Sequence, residues 1–142
     1  MKQPYLALLV VLTLASSAPL LAQQTKVKKV PAPYTSPASG KEMYMAYCAS
    51  CHGTHAKGDG PAAGALKIPP ADLTTLAQKN NGKFPSNHVA AVLSGQEDVT
   101  AHGSKDMPVW GQVFMRVSHG HRTEVQQRIS NLTQYIESVQ GK

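Results

Sequence analysis

The sequence predicts a small all-α domain, and three observations carry that prediction. Val125, Ile129, Leu132, Ile136 and Val139 recur at alternating intervals of four and three residues, the signature of an apolar stripe along one helix. Met43, Tyr44, Tyr47 and Cys48 share helical spacing between Gly40 and Ser50, with no internal glycine or proline. No strand pattern of comparable length and no internal repeat appears. At 142 residues the chain has room for one ordinary core, and two would be cramped.

Taken in order, residues 1–22 begin with Lys2, run apolar from Tyr5 to Ala15 and end in small residues, the three-part layout of a secretory signal peptide. The apolar run is shorter than the roughly 20 residues that cross a bilayer, and Ser16, Ser17 and Pro19 weaken any longer span. Cleavage is expected after Ala22, since a cut after Ala18 would meet Pro19; if uncut, the segment stays as a membrane anchor. Residues 23–39 hold Lys26, Lys28, Lys29, Pro31, Pro33 and Pro37 and no acid, and read as a basic, solvated, proline-containing linker. The folded domain is expected over residues 40–142.

Within it, a helix over 40–50 delivers the cysteines. The four glycines and three prolines of residues 53–70 prevent a long helix and predict a loop around a cofactor. Ala71 to Gln78 reads as a short helix capped by Asp72, with Leu73, Leu76 and Ala77 facing inward. Ser86 is the candidate cap of another, in which Val89, Val92 and Leu93 share a face and Gly95 ends the run. Thr123 and Gln126 form a candidate capping box for the last helix.

The only two cysteines stand in the run Tyr47-Cys48-Ala49-Ser50-Cys51-His52-Gly53. A disulfide closing so short a loop adds little and has no use for His52. A thioredoxin-like pair belongs among alternating strands and helices, which are missing here. A zinc site needs further ligands; His102, His119 and His121 are available, but without a second C-x-x-C or a regular H-x-x-x-H. C-x-x-C-H is the attachment signature of haem c, and that reading accounts for spacing and histidine together. Two thiols on one helical turn reach neighbouring vinyl groups of one macrocycle, and His52 then falls beneath the iron as proximal ligand. One covalently bound haem c is expected, and an exported chain is where such attachment occurs.

The opposite face of the iron needs a second ligand. Met107 lies 55 residues after His52, between predicted helices, and Pro108 restricts its backbone. A thioether there favours ferrous iron and raises the reduction potential. The competing role is core packing, the commoner fate of methionine. Its place after the third helix and the following Pro-Val-Trp-Gly favour ligation.

The motifs C-A-S-C-H and M-P-V-W-G, in that order between terminal helices, resemble those of class I c-type cytochromes of the bacterial diffusible type, over roughly Gly40 to Val139. The resemblance implies a small cytochrome c fold: about four helices wrapped around one covalently attached haem, with crossing N- and C-terminal helices. It matches Gly40, Tyr44 and Tyr135 to the crossing, where a small residue meets an aromatic. It also implies that a proline carbonyl, from Pro69 or Pro70, orients the proximal histidine, and that Trp110 packs beside the haem near a propionate, its alternative being core filling. Met43, Met45 and Met115 read as helix-face or core residues. His55, His88, His102, His119 and His121 read as surface or loop residues, with His102 the substitute iron ligand to test and the His119/His121 pair able to catch a stray metal. Lys57 and Asp59 read as solvated loop charges.

With both axial positions filled by protein, substrate has no open iron site, so the expected function is periplasmic one-electron transfer without enzymatic activity. Partners are redox proteins met through a transient interface, typically below about 1,200 Å², and the carrier itself is expected to be a monomer. A second possibility is a haem c subunit docked in a larger respiratory or dehydrogenase complex, the basic linker serving as tether. A third is a haem enzyme or gas sensor, should Met107 not ligate iron. The whole chain carries a formal charge of +6, but from Gly40 onward ten Lys or Arg face eight Asp or Glu, leaving +2. Two haem propionates would roughly cancel that excess, so no strong basic docking face follows, and dispersed lysines argue against nucleic acid. Amino-terminal sequencing of the exported chain is expected to begin at Gln23; a reading that begins at Met1 would instead identify a retained anchor.

Overall fold

Helix α1 (Gly40–Tyr47) starts where the Ser39 hydroxyl accepts the Glu42 N–H at 3.1 Å, with Glu42 itself in the first turn. Serine three residues before glutamate is a helix-start signal that satisfies one of the orphan backbone donors. The computed structural model describes residues 31–97 and 107–141, so the signal segment, Lys26, Lys28, Lys29 and His102 lie outside the described residues. Within these, helices are joined by turns and no strand occurs. After α1 come α2 (Ala49–His52), α3 (Leu76–Lys79), α4 (Ser86–Ser94), α5 (Trp110–Val117) and α6 (Arg122–Ser138), with single 3-10 turns at Ala63–Ala65 and Leu73–Thr75.

The expected all-α architecture is present, including the loop through residues 53–70 and the long last helix. Three local expectations need correction. The helix expected over 40–50 breaks at Cys48, which closes α1 and opens the one-turn α2. Ser86 is the first residue of α4 and not its cap; Pro85 holds that place, and its carbonyl accepts the Val89 N–H at 3.0 Å. Thr123 lies inside α6, because a tight turn with His119 at φ 49° and Gly120 at φ 85° brings the cap position to His121. Helix α5 was not expected as a separate element, being short and containing Gly111; Trp110 and Phe114, one turn apart, are its buried face.

The core forms where α1 crosses α6. A Cβ on Gly40 would stand 2.1 Å from the Asn131 carbonyl oxygen and 2.8 Å from Tyr135 Cβ, so only glycine permits this approach. Next to it, the Tyr44 and Tyr135 rings meet at 5.2 Å between centroids. Met43, Tyr44, Phe114, Leu132 and Ile136 are buried around this contact, each large side chain contributing about 1.5–3 kcal/mol by removal from water. Val125 is buried on the same stripe of α6, while Ile129 and Val139 are partly buried against it.

Residues 31–39 do not behave as the solvated linker expected from their prolines. Thr35 is buried, and the Asn131 side chain donates to the Pro37 carbonyl at 2.8 Å. The partner that draws this strap inward is Arg128, which is 0% exposed. Its Nη1 donates to Thr35 Oγ1 at 3.0 Å, its Nε to Ser118 Oγ at 3.0 Å, and its Nη2 to Glu124 Oε1 at 2.8 Å. The guanidinium carbon also lies 5.1 Å from the Tyr34 ring centroid, within cation–π range. Tyr47 extends the network: its hydroxyl donates to the Pro33 carbonyl at 2.6 Å and pairs with Thr35 Oγ1 at 2.9 Å. A buried guanidinium requires this degree of pairing, because an uncompensated charge there is strongly destabilising.

Arg128→Gln takes the guanidinium donors from the Thr35 and Ser118 hydroxyls and leaves Glu124 only the Ser118 hydroxyl, and is expected to lower unfolding free energy by about 2–4 kcal/mol in urea at neutral pH. The hydrogen bond from Arg128, reinforced by Ser118, holds the Glu124 carboxyl below its ordinary range. A carboxyl lowered on folding stabilises fully above its unfolded pKa and loses that contribution as pH falls through the folded one. Glu124→Gln should therefore be less stable than the unaltered chain at pH 7, and the gap should close as pH drops below about 4.

Candidate functional site

Cys48, Cys51 and His52 occupy a single turn. Cys48 closes α1 by donating its N–H to the Tyr44 carbonyl at 2.8 Å, and its own carbonyl accepts the N–H groups of Cys51 and His52 at 3.1 and 2.9 Å. The loop that follows returns to the same turn: Gly58, Gly60 and Ala62 donate to the carbonyls of His52, Cys51 and Ser50 at 2.8, 3.0 and 2.9 Å. The carbonyls a helix end leaves bare are thus satisfied. Tyr44 adds a hydrogen bond from its buried hydroxyl to the Gly53 carbonyl at 2.7 Å, and burial pushes its phenol pKa upward.

Neither cysteine is in a disulfide. Burial, and then the neighbouring Cys51, push the buried Cys48 thiol up to about 12; Cys51 is partly exposed. The His52 ring places Nδ1 2.9 Å from the Ala71 carbonyl oxygen. Since a carbonyl only accepts, Nδ1 carries the proton and Nε2 keeps its lone pair. Burial lowers the His52 pKa while the Ala71 carbonyl opposes that shift, so the site favours a neutral imidazole, the form that binds metal.

The carbonyl that orients His52 therefore belongs to Ala71, and neither Pro69 nor Pro70 fills the role expected of them. The Pro70 carbonyl oxygen lies against the loop instead, 2.4 Å from where a Cβ on Gly58 would stand. The next residue's carbonyl is the one turned toward His52. Its position is secured on the far side, where Leu73 N–H donates to the Ala56 carbonyl at 2.8 Å and Asp72 accepts the Thr74 N–H at 2.9 Å. The C-terminus fastens the same segment, with Gln140 bonded to Leu73 and Ala77 and Gly141 bonded to Thr74.

Met107 is partly buried against the core. Three residues on, Trp110 is buried in an aromatic triad with Tyr47 at 5.5 Å and Phe114 at 5.9 Å between centroids. Tyr47 directly precedes Cys48, so this triad joins the M-P-V-W-G segment to the turn that carries the thiols. What the contacts show for Trp110 is packing between the two motifs. A groove of about 510 Å³ between α4 and α6, lined by side chains such as Asn87, Ser130 and Thr133, contains neither thiol nor imidazole. Among the described residues no three His, Cys, Asp or Glu side chains gather into a metal-holding group.

Two unpaired thiols and, on the same turn, a neutral imidazole whose Nε2 keeps its lone pair fit the attachment of a haem c. Ala71, Arg128 and Thr35 are the contributors that the sequence reading missed. The S39-x-x-E42 pattern was a usable signal for where the domain's first helix starts, but a backbone carbonyl acting from a loop leaves no mark in residue type.

Residues 35–118, more than half of the chain, match the family model described as cytochrome c oxidase, cbb3-type, subunit III. The match begins at Thr35, in the strap that Arg128 holds. No curated protein and no solved structure matches the chain.

Gly58 sits at φ +81° against the Pro70 carbonyl. Gly58→Ala would force a side chain into left-handed backbone and push Pro70 and Ala71 outward, and is expected to cost about 2 kcal/mol or more in thermal unfolding. Loss of protection of the His52 Nδ1 proton from exchange, measured by NMR, would accompany it.

Proposed function

Because this chain belongs to the family of c-type cytochrome domains described as cytochrome c oxidase, cbb3-type, subunit III, we propose that it is a periplasmic one-electron carrier using a His52/Met107-ligated haem c. The observation that carries this reading is the single turn presenting both thiols and His52, with the imidazole proton held by Ala71 at 2.9 Å. Cys48 and Cys51 are the residues that would hold a haem c covalently through their thiols. When bound, haem c supplies an iron that exchanges one electron between ferrous and ferric states.

The protein's part is to keep ligands and surroundings the same in both oxidation states. Ala71 fixes the tautomer and direction of His52, which strengthens the imidazole as a donor. Met107 would supply a thioether, which raises the potential of a bound haem and would leave substrate no open position. The Tyr47, Trp110 and Phe114 rings stiffen the connection between the two ligand-bearing segments, limiting rearrangement.

The family description names an oxidase subunit, which supports a second reading: a haem c subunit docked in a larger complex. No described helix is long and apolar enough to cross a membrane, so docking in that reading would use other contacts or the N-terminal segment. Fractionation of the native source separates the two, since a free carrier elutes near its own mass of 15.2 kDa or less after periplasmic release.

The oxidised chain is expected to show the weak red band of sulfur-ligated ferric haem, and Met107→Ala to lose it, lower the reduction potential and bind carbon monoxide rapidly when reduced. Rapid carbon monoxide binding by the unaltered protein, with a spectrum that Met107→Ala leaves unchanged, would overturn the carrier reading in favour of a haem enzyme or sensor. Cys48→Ala and Cys51→Ala test attachment separately, each expected to leave a single thioether and to change the reduced spectrum.

A further inference from the structure

We propose that Gly111 and the contact between Val109 and Gly95 are positioning elements for Met107, fastening its segment to the end of α4. The proposal rests on the reading of Met107 as the second iron ligand and adds what holds it in place. Ser94 is the last residue of α4 and Gly95 its left-handed cap, at φ 78°. The segment that follows Met107 touches both of these residues. A Cβ on Gly111 would stand 2.5 Å from the Ser94 carbonyl oxygen, a backbone atom that cannot swing aside. A Cβ on Gly95 would stand 2.3 Å from Val109 Cγ1. Two successive points of the same segment are thus seated on the same helix end with no space between.

The seat reaches Met107 through few free torsions. Val109 is two residues from Met107, and the intervening Pro108 fixes its own φ and restricts the backbone before it. On the other side, Trp110 packs on Tyr47, next to the thiol turn. The segment is therefore gripped between the end of α4 and the end of α1. Gly111 lies inside α5, where alanine is intrinsically the better helix former. Local propensity and tertiary fit pull in opposite directions at this residue, which makes it a clean probe. Gly111→Ala should favour α5 locally while lifting the segment, and Met107 with it, away from its seat.

The test uses the haem-loaded full chain and titration with imidazole, an exogenous ligand that competes with a loosened methionine. Gly111→Ala is expected to weaken the red sulfur-ligation band by at least half and to bind imidazole at least tenfold more tightly, with unchanged helical signal in the far ultraviolet. Gly64→Ala, whose added Cβ meets nothing within 4 Å, should match the unaltered chain in both. If Gly111→Ala does not accumulate folded, Val109→Ala decides: it removes the wedge against Gly95 without a clash, and is expected to shift both readings in the same direction by at least threefold in imidazole affinity. Absence of the red band from the unaltered protein would overturn the Met107 reading and this proposal together. A band present in the unaltered protein and equally strong in the deciding variant, at equal imidazole affinity, would overturn the positioning role alone.

Discussion

The structure depends first on the contact between Gly40 and the Asn131 carbonyl, where α1 crosses α6 with no side chain between the two backbones. That approach sets the tilt of α1 and brings Tyr44 onto Tyr135. It also decides where α1 ends, and Cys48, Cys51 and His52 follow within one turn of that end. A larger residue at Gly40 would displace the helix along with the groups it delivers. Ser39 and Pro37 reinforce the start of the same helix, one by capping α1 and the other by accepting from Asn131 on α6.

Arg128 does for charge what the crossing does for packing. A guanidinium with no exposed surface is tolerated only where its donors are answered, and the answering groups come from three separated parts of the chain: Thr35, Ser118 and Glu124. Tyr47 links this polar hub to the aromatic triad with Trp110 and Phe114. Polar and apolar cores therefore meet at the residue that precedes Cys48. That arrangement suits a site whose ligands should move little when one electron is gained or lost, because rigid surroundings hold both states to one geometry.

Much of the fold was readable from residue pattern. The stripe through Val125, Leu132 and Ile136 marked α6, Gly95 marked the end of α4, and Asp72 marked the short helical segment that follows the loop. Patterns failed where a local signal competed with a distant one. Prolines and lysines made residues 23–39 look solvated, yet Arg128 lies 93 positions from Thr35 and draws it inward. Thr123 looked like a cap, yet the turn through His119 and Gly120 moved the helix start. Helix α5 was missed because Gly111 lowers its intrinsic propensity, while its stability comes from packing on α4 and on the aromatic triad.

By itself the sequence determined the chemistry on offer: two thiols with two residues between them, an imidazole directly after them and a later methionine followed by proline. Covalent spacing along a helix is a local property, so residue order is enough to put the two thiols and the imidazole on one turn. It also determined that the domain would be helical, since the apolar period is written along each long segment. Only the tertiary structure decided which carbonyl meets His52, choosing Ala71 over Pro69 and Pro70, and which part of the chain neutralises and surrounds Arg128. Those choices depend on how loops of fixed length close between helices. Every peptide unit offers the same carbonyl, so nothing in residue identity distinguishes the one that will be turned toward the ring.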